Sequence, residues 1–236
     1  PASLRILDLS RNFLAGALPA SVVLRSLQRL DLSYNKFAGS LPRLPQNLQQ
    51  IAVKNNMLTG ALQPSSFAGV RSLEIIDLSG NNISGTVGDW LFLIPGLQQV
   101  NLSNNSLTRV IVPKPAPAAA LAAVDLGFND IEGAPPVNFA FFPELASLSL
   151  RHNKLSGVIP PEYCRRTGLT RLFLDGNYLK GSPPRGLFAA GGPATGSLGD
   201  NCLNQCPNSS ELCRPSQKSG TACKQAYGGD RKPRSR

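Results

Sequence analysis

A short pattern of leucines and an asparagine recurs along most of the chain and limits what the chain can fold into. Residues 4–14, LRILDLSRNFL, have the form L-x-x-L-x-L-x-x-N-x-L, and seven later segments repeat that form. The asparagines of the eight copies are Asn12, Asn35, Asn56, Asn81, Asn105, Asn129, Asn153 and Asn177. Successive asparagines lie 21 to 25 residues apart. A fixed period of this length predicts a stacked array of short coils, a solenoid.

Each copy is physically suited to form one coil. The L-x-L core alternates with the period of a β-strand, so Leu7 and Leu9 point to one side and Asp8 points to the other. Stacking the strands in parallel pairs their backbones between coils and merges the inward leucines into one core. The asparagine follows where the chain turns, and its amide can satisfy buried backbone groups there. We therefore expect a ladder of strands with a ladder of asparagines beside it.

Several copies continue after the asparagine as L-x-G-x-L/I-P, as in LAGALP at 14–19 and LSGVIP at 155–160. In this respect the chain resembles the plant-specific class of leucine-rich repeats found in receptor-like kinases, receptor-like proteins and secreted polygalacturonase inhibitors. The resemblance covers roughly residues 4–200. It implies an α/β solenoid, a curved horseshoe with a parallel strand ladder on its concave face. Segments 108–113 and 132–136 depart from the pattern, so we expect those two coils to lose the family's extra convex-side strand.

The cysteines are concentrated near the C-terminus. Cys164 lies within the repeats and is expected to be a small core residue with a free thiol. The other four are Cys202, Cys206, Cys213 and Cys223. They follow the last full copy and favour a disulfide-held cap over a zinc site, because two close C-x2-C pairs are absent. Four cysteines allow three pairings, which stay open.

These features predict three regions. Residues 1–200 form an N-terminally truncated solenoid of eight repeats, residues 201–223 a Cys-rich cap, and residues 224–236 a basic, disordered tail. Because a repeat already begins at Leu4, we expect further coils or a cap to precede Pro1.

Charge and hydropathy narrow the choice of partners. The 24 Lys and Arg against 14 Asp and Glu give a net charge of +10. For the basic tail, acidic cell-wall pectin is a better candidate partner than nucleic acid or an anionic membrane. The longest apolar stretches are much shorter than the ~18 residues of a membrane span, so we expect no span within this chain.

Catalysis is not expected. His152 is the single histidine, which excludes a cluster of histidine metal ligands. The aspartates Asp8, Asp31 and Asp77 share one slot of the repeat, where no pocket would raise the pKa of one of them. A triad of Ser149, His152 and Asp175 would lack an oxyanion hole. We predict a protein that is not an enzyme and that needs no cofactor or metal.

The variable residues beside the inward leucines should project from the concave face. Those chosen as ligand-binding candidates are Tyr34, Lys54, Phe128, Arg151, His152, Arg171, Phe173 and Asp175. Six of them come from the last three copies, and aromatic residues and arginine are the types that dominate binding energy at interfaces. The sequence therefore predicts a ligand site near the C-terminal end of the concave face.

Four N-x-S/T sequons begin at Asn82, Asn101, Asn104 and Asn208. Each can carry a glycan if the chain is secreted. Glycans on Asn101 and Asn104 would cover the middle of the concave face and leave its ends for a ligand.

We therefore expect a non-catalytic extracellular module of plant cell-surface signalling or defence, in the cell wall or at the outer face of the plasma membrane. Its partner would be a protein or peptide ligand, with a receptor kinase or a wall polysaccharide as further candidates. Two alternatives stay open, namely the ectodomain of a leucine-rich-repeat receptor-like kinase and a secreted inhibitor of microbial pectinases. A cytosolic scaffold, with reduced cysteines and bare sequons, is the third class.

Overall fold

Each coil of the repeat contributes one short strand to a continuous parallel sheet. The computed structural model describes residues 3–19, 25–164, 168–207 and 209–227. The strands of this concave ladder are β1 (Ile6–Asp8), β3 (Arg29–Asp31), β5 (Gln50–Ala52), β7 (Ile75–Asp77), β9 (Gln99–Asn101), β11 (Ala123–Asp125), β13 (Ser147–Ser149), β15 (Arg171–Phe173) and β17 (Thr195–Ser197). Neighbouring strands pair residue for residue, as in Leu148 with Leu172. The predicted leucine-rich-repeat solenoid is confirmed.

The core forms where the sequence pattern predicts it. The central residue of each strand points inward, and Ile51, Val124 and Leu148 are each at most 1% exposed. The residues on either side of them face outward. One continuous cluster of buried side chains extends from Leu18 to Leu203, so the coils share a single core, as expected for a solenoid.

The structure contains a ninth coil that the repeat pattern missed. Strand β17 has Gly196 where the other strands have a leucine, isoleucine or valine. A Cβ at Gly196 would overlap the carbonyl oxygen of Leu172 and would lie 3.2 Å from a methyl carbon of Leu212, a residue of the cap. The cap therefore occupies the space that a large side chain fills in the other coils, and the count of eight repeats is wrong by one.

A second set of strands follows the asparagines. The strands are β2 (Ala15–Ala17), β4 (Lys36–Gly39), β6 (Met57–Gly60), β8 (Asn82–Val87), β10 (Ser106–Val110), β12 (Glu132–Gly133), β14 (Lys154–Gly157), β16 (Tyr178–Gly181) and β18 (Cys202–Leu203). They form an outer ladder of two sheets, one of five strands from β2 to β10 and one of four from β12 to β18.

The predicted loss of the second strand in two coils is wrong. Strand β10 pairs with β8, and the short β12 pairs with β14. The two segments that depart from the repeat pattern instead lie where the outer ladder is interrupted, between β10 and β12. Most coils turn at a glycine with positive φ, such as Gly85 at 81°, whereas the β10 coil has Arg109 and its pairing register shifts between Leu107 and Arg109. Without glycine the strand continues extended and the ladder stops.

Short helices complete the coils. They are the 3-10 helices η1 (Pro64–Phe67), η2 (Asp89–Leu93), η3 (Val137–Phe141), η4 (Pro161–Cys164), η5 (Arg185–Phe188) and η6 (Glu211–Cys213), and the α-helix α1 (Gly220–Tyr227). Cys164 is half-buried at the end of η4 with a free thiol, as predicted. Burial raises the pKa of that thiol above its ordinary value.

The C-terminal cap is held by the disulfides Cys202–Cys223 and Cys206–Cys213, which resolves the three pairings left open by the sequence. Helix α1 lies beside the outer ladder, and the hydroxyl of its last residue, Tyr227, donates to the carbonyl of Tyr178. The ordered cap thus extends past its expected end at residue 223. The rest of the predicted tail, residues 228–236, lies outside the described residues.

The first coil leaves apolar side chains in solvent. Ile6 is 56% exposed and Phe13 is 86% exposed. Leucines of the first two coils line an open apolar cavity of about 280 Å³. At this end of the described residues, the apolar core is therefore open to solvent. Among the described residues, no helix combines the length and apolar character needed to cross a lipid bilayer.

Candidate ligand-binding surface

The asparagine ladder sets the edge of the concave face. In Asn153, for example, Nδ2 donates to the carbonyls of Leu126 (3.0 Å) and Leu150 (3.1 Å), and Oδ1 accepts from the amide of Ile131 (2.9 Å). Each such amide ties its own turn to the preceding coil, so the predicted ladder is confirmed. Because every turn is fixed in this way, the residues before the asparagines are held in equivalent positions along the solenoid.

The residue just before each asparagine adopts a left-handed backbone conformation. This column is Arg11, Tyr34, Asn55, Gly80, Asn104, Phe128, His152, Gly176 and Asp200, with φ between 49° and 71°. Few residues other than glycine and asparagine take this conformation. Stacked coils bring these side chains into a row along one edge of the ladder.

The aspartates of the concave strands support the fold. Oδ1 of Asp31 accepts from the amide of Ser33 at 2.9 Å, and Asp77 accepts from both the amide (3.1 Å) and the hydroxyl (2.6 Å) of Ser79. Hydrogen bonds donated to the Asp8 carboxylate by the Ser10 side chain and, to a smaller extent, by the Ser10 backbone amide lower the pKa of Asp8 below its ordinary value. These carboxylates therefore anchor the turns that follow the concave strands.

Six of the eight candidates come together, and we call them the C-terminal patch: Phe128, Arg151, His152, Arg171, Phe173 and Asp175. The imidazole of His152 stacks on the ring of Phe128, with centroids 4.5 Å apart and an angle of 15° between planes. The guanidinium carbon of Arg151 lies 4.5 Å from the ring centroid of Phe173. Two planar polar groups are thus each packed on an aromatic ring.

Asp175 is beneath the patch. Its side chain is 9% exposed, so it does not offer the accessible ligand contact that the sequence suggested. One carboxylate oxygen lies 3.4 Å from a terminal nitrogen of Arg151, and the other lies 3.5 Å from Nε2 of His152.

A concave groove of about 550 Å³ runs beside the patch. Arg171 and Phe173 line it, and the small residues Ala123, Ser147 and Ser149 lie among its lining residues. Short side chains let a ligand approach the ladder closely, while Arg171 offers a cation that forms no ion pair with another described residue.

The sequons occupy different surfaces. Asn101 and Asn104 line the groove, so glycans there would occupy it. Asn82 is exposed at the start of β8 on the outer ladder. Asn208 lies outside the described residues.

Tyr34 and Lys54 are not part of the C-terminal patch. Near the other end of the ladder, Tyr34 lies between Arg11 and Lys54, whose charged groups are 5.2 Å and 5.6 Å from its ring centroid. Lys54 also reaches Asp77 at 3.8 Å. The ligand-binding candidates chosen from the sequence did not include Arg11, although its place just before a repeat asparagine puts it in the same column.

A larger depression of about 780 Å³ lies between the outer ladder and helix α1. Its lysines are paired, with Lys154 at 2.7 Å from Asp130 and Lys218 at 2.8 Å from Asp200. Because these charges are compensated within the chain, the concave groove is the better candidate site.

Known proteins share this organisation. A family model described as "Leucine rich repeat" matches residues 46–107 and 119–179, and a second of the same description matches residues 3–23 and 26–48. A curated relative, Receptor-like protein 7 of Arabidopsis thaliana, is 42% identical over 64 residues, which cover 27% of this chain and 6% of the relative.

Solved structures of similar fold match a larger share of this chain. The plant peptide hormone receptor RGFR1, solved in complex with RGF2, has a TM-score of 0.79 and 29% identity over 86% of this chain and 33% of its own. The ectodomain of the Arabidopsis receptor kinase HAESA, in complex with an IDA peptide hormone ligand, has a TM-score of 0.71 and 28% identity over 86% of this chain and 34% of its own. This chain thus spans at most 34% of the length of these proteins. With its repeats, ladders and profile matches in agreement, the chain belongs to the leucine-rich repeat family.

Proposed function

We propose that the chain is a non-catalytic recognition module outside a plant cell, and that it binds a protein or peptide ligand in the groove beside the C-terminal patch. The observation that carries the proposal is the patch itself, where Arg151 and His152 are packed on Phe173 and Phe128 next to an open groove. Aromatic and arginine side chains held in place before binding lose little conformational entropy when a ligand arrives.

The shape of the surface supports a polypeptide ligand. Nine strands at a spacing of about 4.8 Å give a ladder roughly 38 Å long. An extended segment of about ten residues spans that length. The similar structures in complex with peptide hormones agree with this class of ligand.

The ligand site is tested by binding to secreted peptides and receptor ectodomains, measured by calorimetry on the purified chain. For a ligand found in this way, Arg171→Ala and Phe173→Ala are each expected to weaken binding at least about tenfold, as interface hot spots do. Arg29→Ala is the matched control, because Arg29 occupies the same strand position in β3 near the other end of the ladder. Equal affinities for the Arg171→Ala chain and the unchanged chain would place the ligand elsewhere.

The extracellular location is tested by peptide mapping of the protein from its native tissue, with and without reduction and glycosidase treatment. We expect cross-linked peptides joining Cys202 to Cys223 and Cys206 to Cys213, because stable disulfides form in oxidising compartments. We also expect glycan mass on at least one sequon. Four free thiols and bare sequons would contradict the extracellular location and favour an intracellular scaffold.

A further inference from the structure

We propose that Asp175 is a positioning residue that holds Arg151 and His152 together as one preorganised unit. The inference rests on the proposed function only in taking the C-terminal patch as the ligand site. It departs from the sequence analysis, which treated Asp175 as one more contact residue. The arrangement of the Asp175, Arg151 and His152 side chains beside Gly127 and Gly176 supports this inference.

The first step is the burial of the carboxylate. A side chain that is 9% exposed has little water to compensate its charge, so the charge must be balanced by protein groups. Among the described residues, those within ion-pair distance are Arg151 at 3.4 Å from Oδ1 and His152 at 3.5 Å from Oδ2. Only Arg151 always carries a charge, and Oδ1 accepts no hydrogen bond from the described residues, so the charge of Arg151 is its main compensation. The carboxylate therefore lies where both side chains of the preceding coil can be held at once.

The second step is that each held group rests on a different aromatic ring. Arg151 lies over Phe173, which belongs to the same coil as Asp175. His152 lies over Phe128, which belongs to the coil before that of His152 itself. The backbone adds to the link, because the amide of His152 donates to the carbonyl of Asp175 at 2.7 Å. One carboxylate thus connects side chains from three successive coils.

The third step is that glycines leave room for both side chains. A Cβ at Gly176 would lie 2.5 Å from Nδ1 of His152, and a Cβ at Gly127 would lie 2.9 Å from Cγ of Arg151. A larger residue at either position would push the neighbouring side chain away from its aromatic ring. The two glycines therefore allow the two groups to be displaced separately, without changing Asp175.

These contacts assign different roles to the two arginines of the patch. The charge of Arg151 is already matched by Asp175, so its exposed contribution is a flat, stacked surface. Arg171 retains its charge for a ligand. Asp175 consequently influences specificity without touching the ligand.

The test uses the imidazole of His152, which gives the only histidine side-chain signals in the NMR spectrum of the full chain. In the unchanged chain, the stack on Phe128 should displace these signals by ring current and give proton contacts between the two rings. In Asp175→Asn, which keeps the shape but removes the charge, we expect the His152–Phe128 contacts and the side-chain contacts between Arg151 and Phe173 both to weaken.

The glycine variants provide the matched comparison. Gly176→Ala should displace the His152 signals and leave the Arg151–Phe173 contacts unchanged. Gly127→Ala should weaken the Arg151–Phe173 contacts and leave the His152 signals unchanged. Unchanged amide signals from the second to fourth coils would show that each variant is folded. If Asp175→Asn leaves both stacks intact, or alters just one of them, the proposed unit does not exist.

A binding measurement separates this inference from the proposed function. With a ligand identified in the binding screen, Asp175→Asn should weaken affinity about tenfold, and Asp175→Glu, which keeps the charge, should recover part of the loss. If Arg171→Ala has no effect while the NMR result is as expected, the patch is not the ligand site but the positioning role stands. Loss of the NMR effect would overturn the positioning role whatever the ligand does.

Discussion

Replacing Asn177 by alanine is expected to lower the free energy of unfolding by about 4 kcal/mol, because three buried hydrogen bonds are lost together and one buried amide is left without a partner. Asn177 is fully buried. Its Nδ2 donates to the carbonyls of Leu150 (2.9 Å) and Leu174 (3.0 Å), and its Oδ1 accepts from the amide of Leu155 (3.0 Å). Alanine leaves the buried amide of Leu155 without a partner, whereas the carbonyls of Leu150 and Leu174 each keep one bond, from Asn153 and Asn201.

Urea unfolding followed by circular dichroism measures this loss. Asn12→Ala is the control, because Asn12 occupies the same position in the first coil but is exposed, and its amide bonds the carbonyls of Leu9 and Ser10 in its own coil. We expect the control to cost less than about 1 kcal/mol, since water replaces the lost bonds. Equal losses for the two variants would mean that the asparagine ladder contributes no more inside the solenoid than at its open end.

Replacing Gly196 by alanine is expected to destabilise the chain by about 3 kcal/mol through overpacking between the last coil and the cap. The added methyl group would collide with the carbonyl of Leu172, which is backbone and cannot move aside as a side chain could. The ninth strand and the cap must then separate. We expect faster reduction of the Cys206–Cys213 disulfide together with a lower melting temperature.

Gly220→Ala is the control for this change. Gly220 begins helix α1, and a Cβ there meets no atom within 4 Å. Because alanine favours helices more than glycine does, this variant should be neutral or slightly more stable. If the Gly196→Ala chain had the same rate of disulfide reduction and the same melting temperature as the unchanged chain, the cap would not be packed against that position.

The sequence predicted those parts of the fold in which one residue type has one role. Repeat asparagines such as Asn129 and Asn153 marked the eight predicted turns, and inward leucines such as Leu148 marked the core. The last turn has a ladder asparagine too, Asn201, whose Nδ2 donates to the carbonyls of Leu174 and Leu198. The ninth coil escaped because Gly196 breaks the hydrophobic pattern for the sake of the cap, a contact between residues far apart in the chain. The disulfide pairing was open for the same reason, since spacing alone does not say which of Cys206 and Cys223 approaches Cys202.

The residues of the candidate site were predicted from the sequence, but the contacts among them were not. Phe128, Arg151 and Phe173 were recognised as interface residue types, and the repeat register brought them together. The burial of Asp175 was not visible, because exposure at its repeat position differs between coils: the side chain of Lys54 is 37% exposed, whereas Ser33 is 1% exposed. It became buried through the size and direction of neighbouring side chains, which the spacing of the repeat does not encode.

The break in the outer ladder is expected to make the solenoid easier to bend between the coils of β10 and β12. Strand pairing on the back of the solenoid stops between β10 and β12, whereas the concave ladder continues without interruption through β9 and β11. Bending between these two coils would therefore separate no paired strands of the outer ladder, and the concave ladder would serve as the hinge. The groove lies across the same coil, with Asn104 on one side and Phe128 on the other. We expect a change in curvature there to alter the width of the groove.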